Sequence, residues 1–146
     1  MNYWIITVKE PYCGYIQQGM KTMELRKKVP PALQPGDVIF IVRKGDHGSI
    51  VGACSVTSVL VGSVNFFYAY HDHEHRVGLI KMREYFDEDR FLFGIGLKRI
   101  EINSWCLNVR SFGYERAPQW FYRIRPEFKS TIERVLDIKQ QEGGKE

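Results

Sequence analysis

Apolar residues recur with two different periods along this 146-residue chain, and each change of period marks the edge of an element. Tyr3-Trp4-Ile5-Ile6-Thr7-Val8 is a run of aromatic and β-branched side chains, which predicts a strand ended by Glu10-Pro11. Proline suits the first turn of a helix, so Tyr12 to Gln18 is expected to be helical, with Gly19 as its stop. Thr22 to Lys27 alternates as a second strand. Pro30-Pro31 marks a loop and Pro35-Gly36-Asp37 a tight turn, before the buried strand Val38 to Val42. Gly45 to Ser49 reads as a hairpin loop. A long strand, Ile50 to Val61, follows, with Gly52 expected at a bulge or a close approach.

In the second half, Ser63 is placed to cap a helix over Val64 to Tyr70, and the polar run His71 to Arg76 is expected to break it as a solvated loop. Leu79, Met82, Arg83 and Phe86 recur at helical spacing, which predicts an amphipathic helix over Gly78 to Phe86. Phe91 to Ile102 is strand-like, weakened or bent at Gly94 and Gly96. Trp105 to Val109 is expected as a short strand, and Tyr114 to Tyr122 as an aromatic and basic loop. Phe128, Ile132, Val135 and Leu136 form one stripe of a closing helix over Glu127 to Ile138, and residues 140–146 a frayed tail. The sum is one α+β domain over residues 1–146, with five or six strands, inserted helices and a C-terminal helix. Short strands bent at glycines suit a small mixed β-barrel better than a flat open sheet.

Composition narrows the class. The 44% hydrophobic content fits a globular chain, and no apolar run approaches the roughly 20 residues that span a bilayer. The N-terminus lacks a basic segment and a small-residue cleavage site, so a cytoplasmic protein is expected. Cys13, Cys54 and Cys106 are odd in number and widely spaced, and are expected to pack as small hydrophobes. The net charge is +4, and residues 1–50 hold seven basic and four acidic side chains, so most of the excess lies there. That surplus permits an anionic partner without demanding one.

The chemistry concentrates in Gly19-Met20-Lys21-Thr22-Met23-Glu24-Leu25-Arg26. Lys21 and Arg26 suit a phosphate or a carbonyl oxygen, whereas Glu24 can accept from an exocyclic amine of a base. One anion between two cations therefore fits a base edge beside a backbone charge. The plain alternative is an ion pair that orders the turn, since Glu24 and Arg26 share a strand face. Tyr12, and Trp120 with Phe121 and Tyr122, are candidate stacking rings, with Arg116, Arg123 and Arg125 interleaved. His71-Asp72-His73-Glu74-His75 tempts a metal reading, but histidines two apart reach one ion only from a strand face. No metal and no cofactor is expected.

Gly19, Lys21, Glu24 and Arg26 match the G-x-K-x-x-E-x-R signature of the ASCH domain family. Pro11-Tyr12 and Ile16 ahead of it, the Pro35-Gly36-Asp37-Val38 turn, the strand Val51 to Val56 and Ala117-Pro118-Gln119 extend the resemblance from Tyr3 to about Tyr122. The resemblance implies a PUA-like barrel whose cleft faces RNA or a modified nucleoside, with Tyr12, Gly19, Lys21, Glu24, Arg26, Lys27, Gln119 and Trp120 at that cleft. The Met1 to Ile5 opening and the later turn are also similar to the EVE family, another PUA-like group, which ranks second because its pattern lacks the Lys-Glu-Arg constellation.

The ASCH resemblance also implies two hydrolytic alternatives. One branch resembles amidohydrolases that remove an acyl group from cytidine with a Lys, a Thr nucleophile and a carboxylate. Lys21 matches, but Glu24 stands at the Thr position and the carboxylate position falls near Ala69, with Asp72 and Glu74 close by. Thr22 is a weak substitute, and a carboxylate cannot replace a hydroxyl nucleophile without changing the mechanism. The other branch resembles ribonucleases, for which Tyr12 and Lys21 are candidates. The residues themselves leave a different, metal-independent hydrolytic route, with Glu24 as general base and Lys21 as electrostatic stabiliser for a water attack. A protein-interaction domain is a third class.

Overall fold

The computed structural model describes residues 1–87, 90–103 and 106–136. Its six strands are β1 (Tyr3–Val8), β2 (Met23–Arg26), β3 (Val38–Arg43), β4 (Ile50–Gly62), β5 (Leu92–Ile100) and β6 (Phe121–Arg123). Its helices are α1 (Tyr12–Gln17), α2 (Val64–His75), α3 (Leu79–Tyr85) and α4 (Lys129–Leu136), with single 3-10 turns over Val109–Phe112 and Pro126–Phe128. All six strands form one mixed sheet in the order β2-β5-β4-β3-β1-β6, in which β1 and β3 run parallel.

The period-2 alternation of the central strands separates two cores. Ile5, Phe40 and Val42 face α4 and the 3-10 turn with Phe112, whereas Trp4, Ile6, Ile39 and Ile41 face α1 through Cys13 and Ile16. A third cluster joins Met23 and Leu25 of β2 to Val64 and Phe67 of α2 and Met82 of α3. The turn before β3 is held by Asp37, fully buried, whose Oδ1 accepts from the Asn2 amide at 2.9 Å. Its Oδ2 accepts from Trp4 Nε1 at 2.9 Å and from the Gln34 amide at 3.1 Å. The Gly36-Asp37 pair is thus a packing device that ties the N-terminus to the turn.

The α+β class, the strand number and the C-terminal helix agree with the expectation, but the sheet is not a closed barrel. Its edge strands are β2 and β6, and the reason lies at the free end of β1. β6 pairs with β1 only as far as Ile6, opposite Phe121, and Arg26 of β2 donates from Nη2 to the Thr7 carbonyl at 2.8 Å. A side chain here bridges two strands where a ladder of amides would close a barrel.

Three elements depart from the pattern of the sequence. α2 does not stop at Tyr70: it runs through the polar segment to His75 and ends on Arg76, which is left-handed at φ 62°. Val64, Phe67, His71 and His75 lie on one helical stripe, and His75 is fully buried, so histidine continues an apolar face. The expected loop over Tyr114 to Tyr122 ends in β6. The expected strand over Trp105 to Val109 is reduced to one bridge between Asn108 and Ser49, and Trp105 itself lies outside the described residues. The end of the closing helix at Ile138 and the tail at 140–146 also lie outside them. Gly52 does adjoin a bulge, where β4 slips by one residue against β3. Cys13 and Cys54 are buried, with burial pushing their thiols up to about 11 and about 12, but Cys106 is exposed.

Candidate functional site

Gly19 creates the site by geometry. Its φ of 75° is open to glycine and strained for other residues, and it turns the chain so that the Met20 and Lys21 amides both donate to the Tyr15 carbonyl, at 2.8 and 3.1 Å. Lys21 is thereby directed inward, under Tyr12 of α1, with its side chain fully buried. Its Nζ donates to the His75 carbonyl at 2.6 Å, stands 3.5 Å from Glu24 Oε1 and lies 5.1 Å from the centre of the Tyr12 ring. Arg26, two residues along β2, makes a forked contact to Glu24 Oε2 from Nε at 3.0 Å and Nη2 at 2.8 Å. Its guanidinium also lies 5.8 Å from the Phe121 ring centre.

The three charges do satisfy one another, and they also line a hollow of about 340 Å³. β2 forms its floor through Glu24 and Arg26. α1 contributes Tyr12, and the α2–α3 segment contributes Val77, Tyr85 and Phe86. Lys9, Lys27 and Lys44 ring the mouth, with Lys9 Nζ 3.9 Å from the centre of the Tyr85 ring. Among the described residues, five cations thus surround one anion. Burial alone would raise the Glu24 carboxyl, but the Arg26 and Lys21 charges outweigh it and hold the group below the usual carboxylate range. Burial pushes the Lys21 ammonium down, with Glu24 opposing the fall and Arg26 adding to it. The Tyr12 phenol is raised, chiefly by burial. Oε2 of Glu24 is taken up by Arg26, while among the described residues Oε1 meets Lys21 alone, at 3.5 Å, and retains capacity to accept a hydrogen bond from a ligand.

Of the residues singled out by the sequence, Tyr12, Lys21, Glu24, Arg26 and Lys27 line this hollow. Gly19 shapes the turn behind it. Trp120 lines an adjoining hollow, and Gln119 is exposed and borders neither. Thr22 is exposed and lies outside the hollow, because it precedes β2 and spends its backbone on Glu74 and Leu97. Asp72 and Glu74 sit on α2 away from the cleft. Glu74 pairs with His71 at 2.7 Å, and a buried Asp72 oxygen lies 3.9 Å from His75 Nε2. His73 is exposed while His75 is internal, so the helix turns His73 away from the stripe that His71 and His75 share, where a strand would align all three. The aromatic–basic run is split by strand alternation. Phe121 packs in the core beside the cleft, whereas Tyr122 stacks on Tyr114 at 4.1 Å in the opposite core. Arg123 and Arg125 border a larger hollow, about 1070 Å³, beside α4, which shares no residue with the motif. Tyr85, Lys9 and Lys44 are not singled out by the sequence. They arrive from three different segments, and no local spacing links them.

A family model, the ASCH domain, matches residues 6–113. No curated protein matches the sequence. Among solved structures, the ASCH protein from Zymomonas mobilis superposes with a TM-score of 0.75 at 19% identity, covering 89% of this chain and 92% of that one. A tyrosine-to-phenylalanine variant of the same protein gives a TM-score of 0.76 at 19% identity, covering 90% and 96%. The hypothetical protein PH0355 is more distant, with a TM-score of 0.53 at 18% identity over 67% of this chain and 99% of that one. These likenesses show the fold, and among the described residues no helix is long and apolar enough to cross a membrane. With the family model covering well over half of its length, the chain belongs to the ASCH domain family.

Proposed function

We propose that this protein binds RNA, or a modified nucleoside within it, in the cleft built on Lys21, Glu24 and Arg26. The observation that carries the reading is the spare acceptor of Glu24 at the floor of a hollow whose mouth is ringed by Lys9, Lys27 and Lys44. A base bearing an exocyclic amine donates to Glu24 Oε1, and the lysines meet its phosphates. Tyr12 and Tyr85 supply rings to the same hollow.

Single-stranded RNA is expected to bind with micromolar or tighter affinity, weakened as salt rises because phosphate contacts release counterions. Lys27→Ala and Lys44→Ala change exposed side chains, and each should reduce the salt slope by about one contact. Fluorescence anisotropy titrations over a range of salt measure both. Binding that ignores salt, or Lys21→Ala and Arg26→Ala proteins that stay folded and bind RNA as well as wild type, would sink the assignment.

A second reading, a metal-independent ribonuclease, is favoured by the Tyr12 ring standing over Lys21. In it, Lys21 stabilises developing phosphate charge and Tyr12 carries the transferable proton. The acylcytidine alternative has less support, since Thr22 lies outside the hollow and Glu24, held ionised by two cations, is a weak base. Turnover of short RNAs that is lost in Tyr12→Phe would promote catalysis above binding. An N4-acylated cytidine panel left intact at high enzyme concentration would retire the amidohydrolase.

A further inference from the structure

We propose that the hollow adjoining the motif cleft is a second base-stacking subsite, so that the ligand is a single-stranded RNA segment of at least two nucleotides rather than a free nucleoside. The proposal rests on the reading of the motif cleft as a nucleotide site, and it narrows that reading to a strand.

The second hollow, about 560 Å³, shares Arg26, Lys27 and Phe86 with the first, so the two lie side by side. Its own walls include Lys28, Phe91 and Trp120. Trp120 is 45% exposed, yet its ring is fixed: Nε1 donates to the Lys28 carbonyl at 3.0 Å, and the ring meets Phe121 edge-on at 5.3 Å. An indole usually tolerates water through its N–H, and here that group is already engaged by the protein. What remains open is a pre-oriented ring, which stacks a base with little further loss of conformational freedom. Phe91, 70% exposed, adds a second ring to the same hollow.

Charge selects the occupant. Among the described residues Lys27 and Lys28 have no carboxylate within ion-pair distance, whereas Asp87 is drawn to Arg90 at 3.6 Å. Cations beside exposed rings fit a phosphodiester strand with unstacked bases, and they suit an apolar peptide or lipid chain poorly. Arg26 lies at the junction. It ties Glu24 and the Thr7 carbonyl in the first hollow, lies against the Phe121 ring, and through that ring adjoins Trp120. The phosphate joining two bound nucleotides would pass between Arg26 and Lys27.

The test compares fluorescein-labelled RNA hexamers of mixed sequence with the four nucleoside 5′-monophosphates, on wild type, Trp120→Ala, Trp120→Phe and Phe91→Ala proteins of matched thermal stability. Trp120→Ala should weaken hexamer binding roughly tenfold or more while leaving monophosphate binding unchanged. Trp120→Phe should recover most of the loss, and Phe91→Ala should show a smaller loss in the same direction. Unchanged hexamer affinity in Trp120→Ala, or an equal loss for hexamers and monophosphates, overturns the second subsite. Wild type that binds monophosphates as tightly as hexamers overturns it too and leaves the motif cleft standing. Wild type that binds neither overturns both.

Discussion

Glu24 is the residue on which structure and chemistry converge. It neutralises two cations, one of them fully buried, and it presents an acceptor to the cleft. Removing one member of a buried charge cluster leaves the others uncompensated, which is far more damaging than the pair's net contribution to stability. Glu24→Gln keeps the shape and deletes the charge, so it should lower unfolding stability by about 3 kcal/mol, measured by urea denaturation. A loss near zero would mean that Lys21 is held adequately by the His75 carbonyl alone. Lys21→Met combined with Glu24→Gln should be less damaging than the two single losses added together, because the residues share one interaction. The G-x-K-x-x-E-x-R spacing makes these residues legible in the chain itself. It cannot show that Lys21 is buried, because a lysine reads as exposed until a carbonyl 54 positions away comes to meet it.

Among the elements, β2 and α2 position the cleft together, and glycine lets them meet. Gly94 of β5 lies beside Leu25 of β2, and a β-carbon there would overlap the Phe67 ring of α2 and come within 2.8 Å of Met23 Sδ. Gly94→Ala should therefore destabilise the fold by about 1–3 kcal/mol through overpacking. Chemical denaturation measures that loss, and a wild-type midpoint would show that Phe67 yields freely. Strand propensity marks Gly94 and Gly96 as points of weakness or bending, and Gly94 proves to be the seat of a helix. The length of α2 escapes the hydropathy pattern for a related reason. His75 counts as polar there, yet its Nε2 lies 3.0 Å from the Phe67 carbonyl, its Nδ1 accepts from the Val77 amide at 3.1 Å, and it packs as a neutral ring.

For the molecule as a whole, buried groups that stay in one protonation state set the response to acid. Burial leads the causes that lower the His75 pKa from 6.5, so the unfolded chain takes up a proton that the native ring resists. Stability from this group is full above about 6.5 and is lost as pH falls through that value towards the native pKa. Glu24, lowered from 4.5, adds a second loss as pH falls below 4.5 towards its native value. Urea midpoints followed from about pH 8 to about pH 3 should fall in both windows, and His75→Gln should flatten the first. A profile that stays flat down to about pH 5 would contradict a neutral buried His75. Because α2 delivers the His75 carbonyl to Lys21, the acid response of the fold and the geometry of the cleft are linked.

Residue order alone suffices for β1, α1, the α+β class, the motif and the family it belongs to, because these rest on local periodicity, on turn residues and on spacing within a few residues. Packing was needed to leave the sheet open and to make Arg26 span the gap by reaching a carbonyl of β1. It also brought Lys9, Lys44 and Tyr85 to the rim and turned Tyr122 away while leaving Trp120 beside the motif. Such contacts join residues tens of positions apart, and they depend on the curl of the sheet and on which face each strand residue occupies. No window of the chain holds that information until the whole of it has packed.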